Sequence, residues 1–311
     1  MTASNDKFAT SDRKGDMKKL ILTFCVFVLA SCGGTDSSIS AGTDESAGDS
    51  PTATLEAILD SQTDAMKKRY EFRNPKETLE FFGIEPGMTV VEALPGGGWY
   101  TKLLVPYLGS EGKVVGANYA MGMWSFFGYK GERLDNMKKW PQTWPAEINN
   151  KSQISGGASA EGFMFGDMPD SMKGTADAVL LIRAVHNLAR FESQGGFLTA
   201  AIQNTFDILK PGGVVGVVQH QARDEMPNDW ADGSKGYLKK SFVIDLMKGA
   251  GFELVGESDI NQNPKDQPTA EDIVWRLPPS LATSKDNDEL KNSLESIGES
   301  NRMTLKFKKP V

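Results

Sequence analysis

The chain has only two histidines, His186 and His220, and each stands just beyond a run of apolar residues. A neutral imidazole accepts a proton near pH 7, which suits a general base. Arg183, three residues before His186, adds a fixed cation able to orient an anionic acceptor or to pair within a sheet edge. Two histidines alone make a poor metal site, because a third ligand such as Asp or Glu has to be found, so no metal is expected. Each histidine is equally readable as a hydrogen-bonding strand-end residue without a chemical role.

A second group of residues surrounds Glu92-Ala93-Leu94-Pro95-Gly96-Gly97-Gly98-Trp99-Tyr100-Thr101. A β-branched run precedes it, and Lys102-Leu103-Leu104-Val105 follows as the start of a helix. Glycines let a backbone take positive φ and approach a ligand without a Cβ in the way, and a helix start offers unpaired N–H groups. A phosphate loop needs a Lys-Ser/Thr pair at its end, which is missing. A dinucleotide loop wants glycine or alanine where Thr101 stands. The third possibility is acid-x-Gly-x-Gly-x-Gly, the S-adenosylmethionine loop of class I methyltransferases. Here it runs Glu92-x-Leu94-x-Gly96-x-Gly98, with leucine in the first glycine slot.

These residues need a scaffold. Apolar runs at 90–94, 112–118, around 163–165, 176–182 and 214–218 predict five strands, and 252–255 and 303–307 the last two. Runs 1, 4 and 5 are continuously apolar, as in a parallel sheet covered on both faces. Helices are predicted over 54–69, from Asn74 to Gly83 with Asn74 as the N-cap, over 197–209 and over 242–248. Ligands in such sheets lie outside the carboxyl ends of the strands. Asn118 ends strand 2, where an acid usually grips a ribose, and Asp167 ends strand 3, placed to accept from an adenine amino group or simply to begin a turn. The long segment 119–162, rich in Met, Trp, Phe and Tyr, reads as an apolar lid or as core-packing helices.

The blocks Gly96-Gly97-Gly98-Trp99-Tyr100-Thr101, Arg183-Ala184-Val185-His186-Asn187, Leu209-Lys210-Pro211-Gly212-Gly213, Val274-Trp275-Arg276-Leu277-Pro278-Pro279 and Gly298-Glu299-Ser300-Asn301-Arg302-Met303-Thr304-Leu305 resemble a family of bacterial class I methyltransferases, many of them exported. The resemblance implies a Rossmann-like α/β sheet of seven strands with an antiparallel last strand, and S-adenosyl-L-methionine as cofactor. It places Gly96, Gly97 and Gly98 with Leu94 along the methionine end, Glu92 at its ammonium, and Asn118 and Asp167 beside the nucleoside. His186 or His220 becomes the base, with Arg183 orienting the small-molecule acceptor. Leucine at 94 and asparagine at 118 depart from the pattern. They leave a second reading open, a binding or scaffold module of the same fold with little or no catalysis. A nicotinamide oxidoreductase fits worse, lacking both the third small residue and the acid at strand 2.

Charge and address bound the rest. The net charge of −7 over 311 residues argues against a phosphate-tracking nucleic-acid binder. Met17-Lys18-Lys19 and the short apolar run to Ala30 read as an export signal, too short to span a bilayer. Leu29-Ala30-Ser31-Cys32-Gly33 resembles a lipobox, which makes Cys32 the lipidated mature N-terminus. The expected organisation is a leader over 1–31, a polar tether over 32–53 and one domain over 54–311. Loss of residues 1–31, with five Lys/Arg and three Asp/Glu, takes the net charge from −7 to −9. Membrane attachment on the periplasmic side of the envelope would then come from lipid alone. Such an address sets a puzzle, because S-adenosylmethionine is made in the cytoplasm.

Overall fold

The computed structural model describes residues 54–311. The leader, Cys32 and the tether lie outside them.

The strands are β1 (Thr89–Ala93), β2 (Lys113–Asn118), β3 (Ser159–Met164), β4 (Ala176–Ile182), β5 (Leu209–His220), β6 (Glu253–Ser258) and β7 (Arg302–Lys308). They form one sheet in the order β3-β2-β1-β4-β5-β7-β6. The pairs from β3 to β5 are parallel, and β7 runs antiparallel to both β5 and β6. This is the seven-stranded class I methyltransferase sheet. The order reverses direction at β1 and β4, so the crevice above their carboxyl ends is where such a sheet receives a ligand.

Successive side chains of the central strands point to opposite faces, and both faces are covered. Val91, Val115, Val179 and Val217 pack with Leu198 and Ile202 of the helix Phe197–Ile208 and with Met247 of the helix Lys240–Gly249. Val90, Val114 and Leu180 pack with Leu79 and Phe82 of Pro75–Phe82 and with Leu103 and Leu104 of Thr101–Leu108. Each fully buried Val, Leu or Phe contributes about 1.5–3 kcal/mol. Double coverage is why these strands read as unbroken apolar runs; β6, at the edge, alternates exposed and half-buried residues.

Several expected boundaries shift. Residues 54–69 form not one helix but Leu55–Asp60 and Asp64–Lys67, followed by Tyr70–Arg73. Asn74 is left-handed and caps nothing with its side chain; its amide donates to the Ile260 carbonyl instead. The long segment after β2 packs on the sheet along one face and is otherwise exposed. A 3-10 turn at Met121–Ser125 leads to the helix Glu132–Ser155, whose stacked Trp140 and Trp144 lie against Gly116 of β2. A Cβ at Gly116 would come within 2.7 Å of Trp144, so glycine is required by close approach rather than by any ligand. Among the described residues no helix is long and apolar enough to cross a membrane.

Candidate active site

One construction is used at the ends of both β1 and β4. The amide of Leu94 continues the ladder to β2, donating to the Ala117 carbonyl at 2.7 Å, while its own φ turns to +54°. The amide of Arg183 donates to Val218 of β5 at 2.6 Å, and its φ is +56°. A left-handed conformation costs a residue with a Cβ roughly 1–2 kcal/mol. Two such residues stand side by side on the sheet crest, strain of a kind that concentrates at functional sites, and two others, Asn74 and Leu281, lie elsewhere.

After Leu94 the turn keeps the same alternation, with Gly96 at φ +54° and Gly98 at +71°. A Cβ added at Gly97 would meet nothing within 4 Å, so no packing demands that glycine. Glu92 points from the last turn of β1 into the interior. Burial pushes its carboxyl up to about 7, against the pull of Thr101, whose hydroxyl donates to Oε2 at 2.5 Å. Beside it lies a hollow of about 40 Å³, walled by Glu92, Leu94, Trp99, Tyr100 and Arg183.

A second hollow of about 240 Å³ opens over β4 and β5. It holds His186 from the helix Val185–Arg190, His220 from the end of β5, and Asn187, with Leu94, Ile182 and Arg183 shared with the smaller hollow. The two imidazoles are 5.2 Å apart, centroid to centroid. His186 Nδ1 pairs with Gln219 Oε1 at 3.3 Å, and His220 Nδ1 with Ser300 Oγ at 2.5 Å. Burial lowers His186 to about 4; burial, together with His186 and nearby arginines, drives His220 well below its ordinary value. Both rings are neutral at pH 7. They are much weaker bases than exposed imidazoles, so their position in the cavity fits hydrogen bonding better than proton abstraction at neutral pH.

The lid of this cavity comes from the segment Val274-Trp275-Arg276-Leu277-Pro278-Pro279-Ser280. It is pinned by Asp266, which accepts from Arg276 Nη2 at 2.8 Å, from the Tyr237 hydroxyl at 3.0 Å and from the Asn301 amide at 2.9 Å. Trp275, Ser300, Gln219 and Tyr119 were not marked as site residues by sequence reasoning. Trp275 and Ser300 fall in the blocks Val274–Pro279 and Gly298–Leu305, and Tyr119 opens the aromatic segment 119–162, without a role being assigned to any of them.

Glu92, Leu94, Arg183, His186 and His220 thus share one crest. Gly96, Gly97 and Gly98 face a different, outer hollow between the helices Thr101–Leu108 and Glu132–Ser155. Asn118 and Asp167 line neither crest hollow. Asn118 Oδ1 accepts from the next amide, that of Tyr119, at 2.9 Å, and Asp167 is exposed. Tyr119 bridges the crest, its hydroxyl accepting from Asn187 Nδ2 at 2.8 Å. Its ring packs on Trp124 and Phe127. Among the described residues, no three His, Cys, Asp or Glu side chains gather as a metal site.

No family model matches this chain, and no curated protein matches it. Among solved structures, the cyclase SpnF is similar over 77% of this chain and 80% of its own, at 14% identity and a TM-score of 0.49. A SAM-dependent methyltransferase from Aquifex aeolicus is similar over 67% and 94%, at 16% identity and 0.42. A geranyl diphosphate methyltransferase in complex with SAM is similar over 85% and 93%, at 15% identity and 0.47. The fold assignment stands on strand order and register, which are independent of these likenesses.

Proposed function

We propose that the chain is a methyltransferase that uses S-adenosylmethionine and acts on a small molecule. The observation that carries this reading is the loop after β1. Leu94 takes a left-handed φ at the first glycine position of acid-x-Gly-x-Gly-x-Gly, a conformation glycine adopts freely and leucine only under strain. A bare turn would relax to a conformation without that strain.

The donor set suits the cofactor. Glu92 is a buried carboxylate with one neutral hydrogen-bond donor, and a bound ammonium would lower its pKa again. Leu94 and Pro95 of the turn line the crest hollow beside Glu92, whereas Gly96, Gly97 and Gly98 open on the outer hollow and Asn118 stands at the end of β2 outside both crest hollows. Room is the shortfall. Pockets for molecules of this size hold roughly 300–1,000 Å³, and the hollows of about 40 and 240 Å³ are each smaller. Leu94 is in the wall of both, half-buried and on a loop. Turning its side chain away and releasing the Tyr119–Asn187 bridge joins them. Bound there, the cofactor supplies an electrophilic methyl group; the chain holds the acceptor in line, a positioning effect worth roughly 7–11 kcal/mol.

Thermal unfolding of the full-length chain with S-adenosylhomocysteine tests this. A rise in Tm that saturates with ligand is expected. An unchanged Tm at millimolar ligand leaves the non-catalytic binding module as the reading. Export with lipid on Cys32 belongs to the same proposal, and an unmodified leader on the cellular protein, seen by mass spectrometry, would remove it.

A further inference from the structure

The larger hollow carries an imbalance of charge that the methyltransferase reading does not use. Glu299 is buried, and three guanidiniums already surround it: Arg69 at 2.5 Å, Arg73 at 3.2 Å and Arg302 at 3.3 Å. Arg183 is the fourth cation in range of the same carboxylate. Its guanidinium makes no hydrogen bond or ion pair among the described residues, yet it is in the walls of both crest hollows. Arg183 is half-buried, and the one carboxylate in its range is shared with three other arginines, so its guanidinium is available to an anion entering the hollow. Arg183 and Glu299 are the charged residues in the wall of the larger hollow, and the other three arginines hold Glu299 from outside it, which leaves Arg183 as the cation facing the cavity.

The rest of the cavity narrows the ligand. His186 and His220 are neutral and add hydrogen bonds without adding repulsion to an anion. Trp275, packed on His186 at 6.0 Å, gives an aromatic wall, with Ile182 and Leu277 beside it. A volume of about 240 Å³ excludes a nucleotide or a peptide of several residues.

We propose that this cavity binds a small monocarboxylate with a flat apolar body, its carboxylate on Arg183 and its body against Trp275. The arginine fork matches a carboxylate through two parallel N–H···O bonds. The assignment rests on the reading of the crest as a ligand site and names the acceptor class for it. It does not require the cofactor to be present.

The two histidines make the test direct, because both ring signals come from this cavity. Full-length chain labelled with ¹⁵N-histidine is titrated with benzoate, benzamide and phenylphosphonate. Benzoate is expected to shift both imidazoles saturably, and neutral benzamide to shift neither. Arg183→Gln is expected to weaken benzoate about tenfold or more. Should that variant fail to fold, the benzoate–benzamide contrast on the unaltered chain still decides. No shift with tens of millimolar benzoate, or equal shifts with benzamide, overturns the proposal. Tighter binding of phenylphosphonate overturns the carboxylate assignment. S-Adenosylhomocysteine is titrated separately. Displacement of benzoate would give Arg183 to the cofactor's own carboxylate and overturn the acceptor assignment. Benzoate binding without any response to S-adenosylhomocysteine leaves the acceptor site standing and removes the methyltransferase reading.

Discussion

The two halves of the sheet crest are built differently. Above β1 and β2 the crest is filled: Leu94, Tyr119 and Met123 pack into the same core, and the hollow that remains beside Glu92 and Leu94 is about 40 Å³. Above β4 and β5 it is open, polar and roofed by a separate segment around Trp275, enclosing about 240 Å³. Yet both halves begin with the same left-handed strand-end residue, at Leu94 and at Arg183. The backbone carries the same strain on both sides, while the side chains hold one side shut. What separates the halves is therefore side-chain volume, which a rotamer change or one substitution can alter, rather than the fold.

The open half depends on its roof, and breaking that roof should give the largest effect. Asp266→Ala leaves Arg276 buried without its principal partner and frees the Trp275 segment. Loss of one member of a buried ion pair costs roughly 3–5 kcal/mol. Denaturant unfolding should show it, with the histidine signals moving toward those of exposed rings. The closed half should respond to Leu94→Gly. Removing the side chain relieves the left-handed strain and joins the hollows, so S-adenosylhomocysteine should bind about tenfold tighter by calorimetry, about 1.4 kcal/mol. Unchanged affinity would show that Leu94 is not the obstruction.

Glu92 distinguishes a binding role from a structural one by pH. Its folded pKa, about 7, lies above the ordinary 4.5. The folded chain therefore holds this proton more tightly than the unfolded chain, and stability is lost as pH rises from about 4.5 through 7. Glu92→Gln removes that loss. Its Tm should match the parent near pH 4.5 and exceed it by roughly 7–14 °C above pH 7, while ligand affinity falls. A Tm that drops at every pH would mean the carboxylate is structurally required. The smallest effect belongs to Tyr119→Phe, which cuts the bridge to Asn187. It should cost about 1 kcal/mol in unfolding experiments and slightly tighten S-adenosylhomocysteine.

Much of this arrangement was legible in the residues. Seven strands could be located because the central ones are buried on both faces and the edge ones end in turns. β4 was read at its observed bounds, Ala176–Ile182, and the antiparallel last strand followed from the family resemblance. Less legible was anything set by long-range packing. The long segment after β2 turned out to rest Trp140 and Trp144 on Gly116, a contact invisible without the sheet. Asn74 looked like a helix cap because its neighbours fit that pattern, but a partner 186 residues away claims its side chain. His186 or His220 reads from the sequence either as a base or as a hydrogen-bonding strand-end residue, and their burial, which composition does not reveal, favours the second role at neutral pH. Trp275 and Ser300 were missed because their strands and loops converge only in three dimensions.

The central claim is that the left-handed turn after β1 receives S-adenosylmethionine once Leu94 gives way. Calorimetric titration of the full-length chain with that compound addresses it most directly. Saturable heat for one site per chain is expected, with Glu92→Gln binding more weakly. No heat at millimolar ligand from either the parent or Leu94→Gly would contradict it.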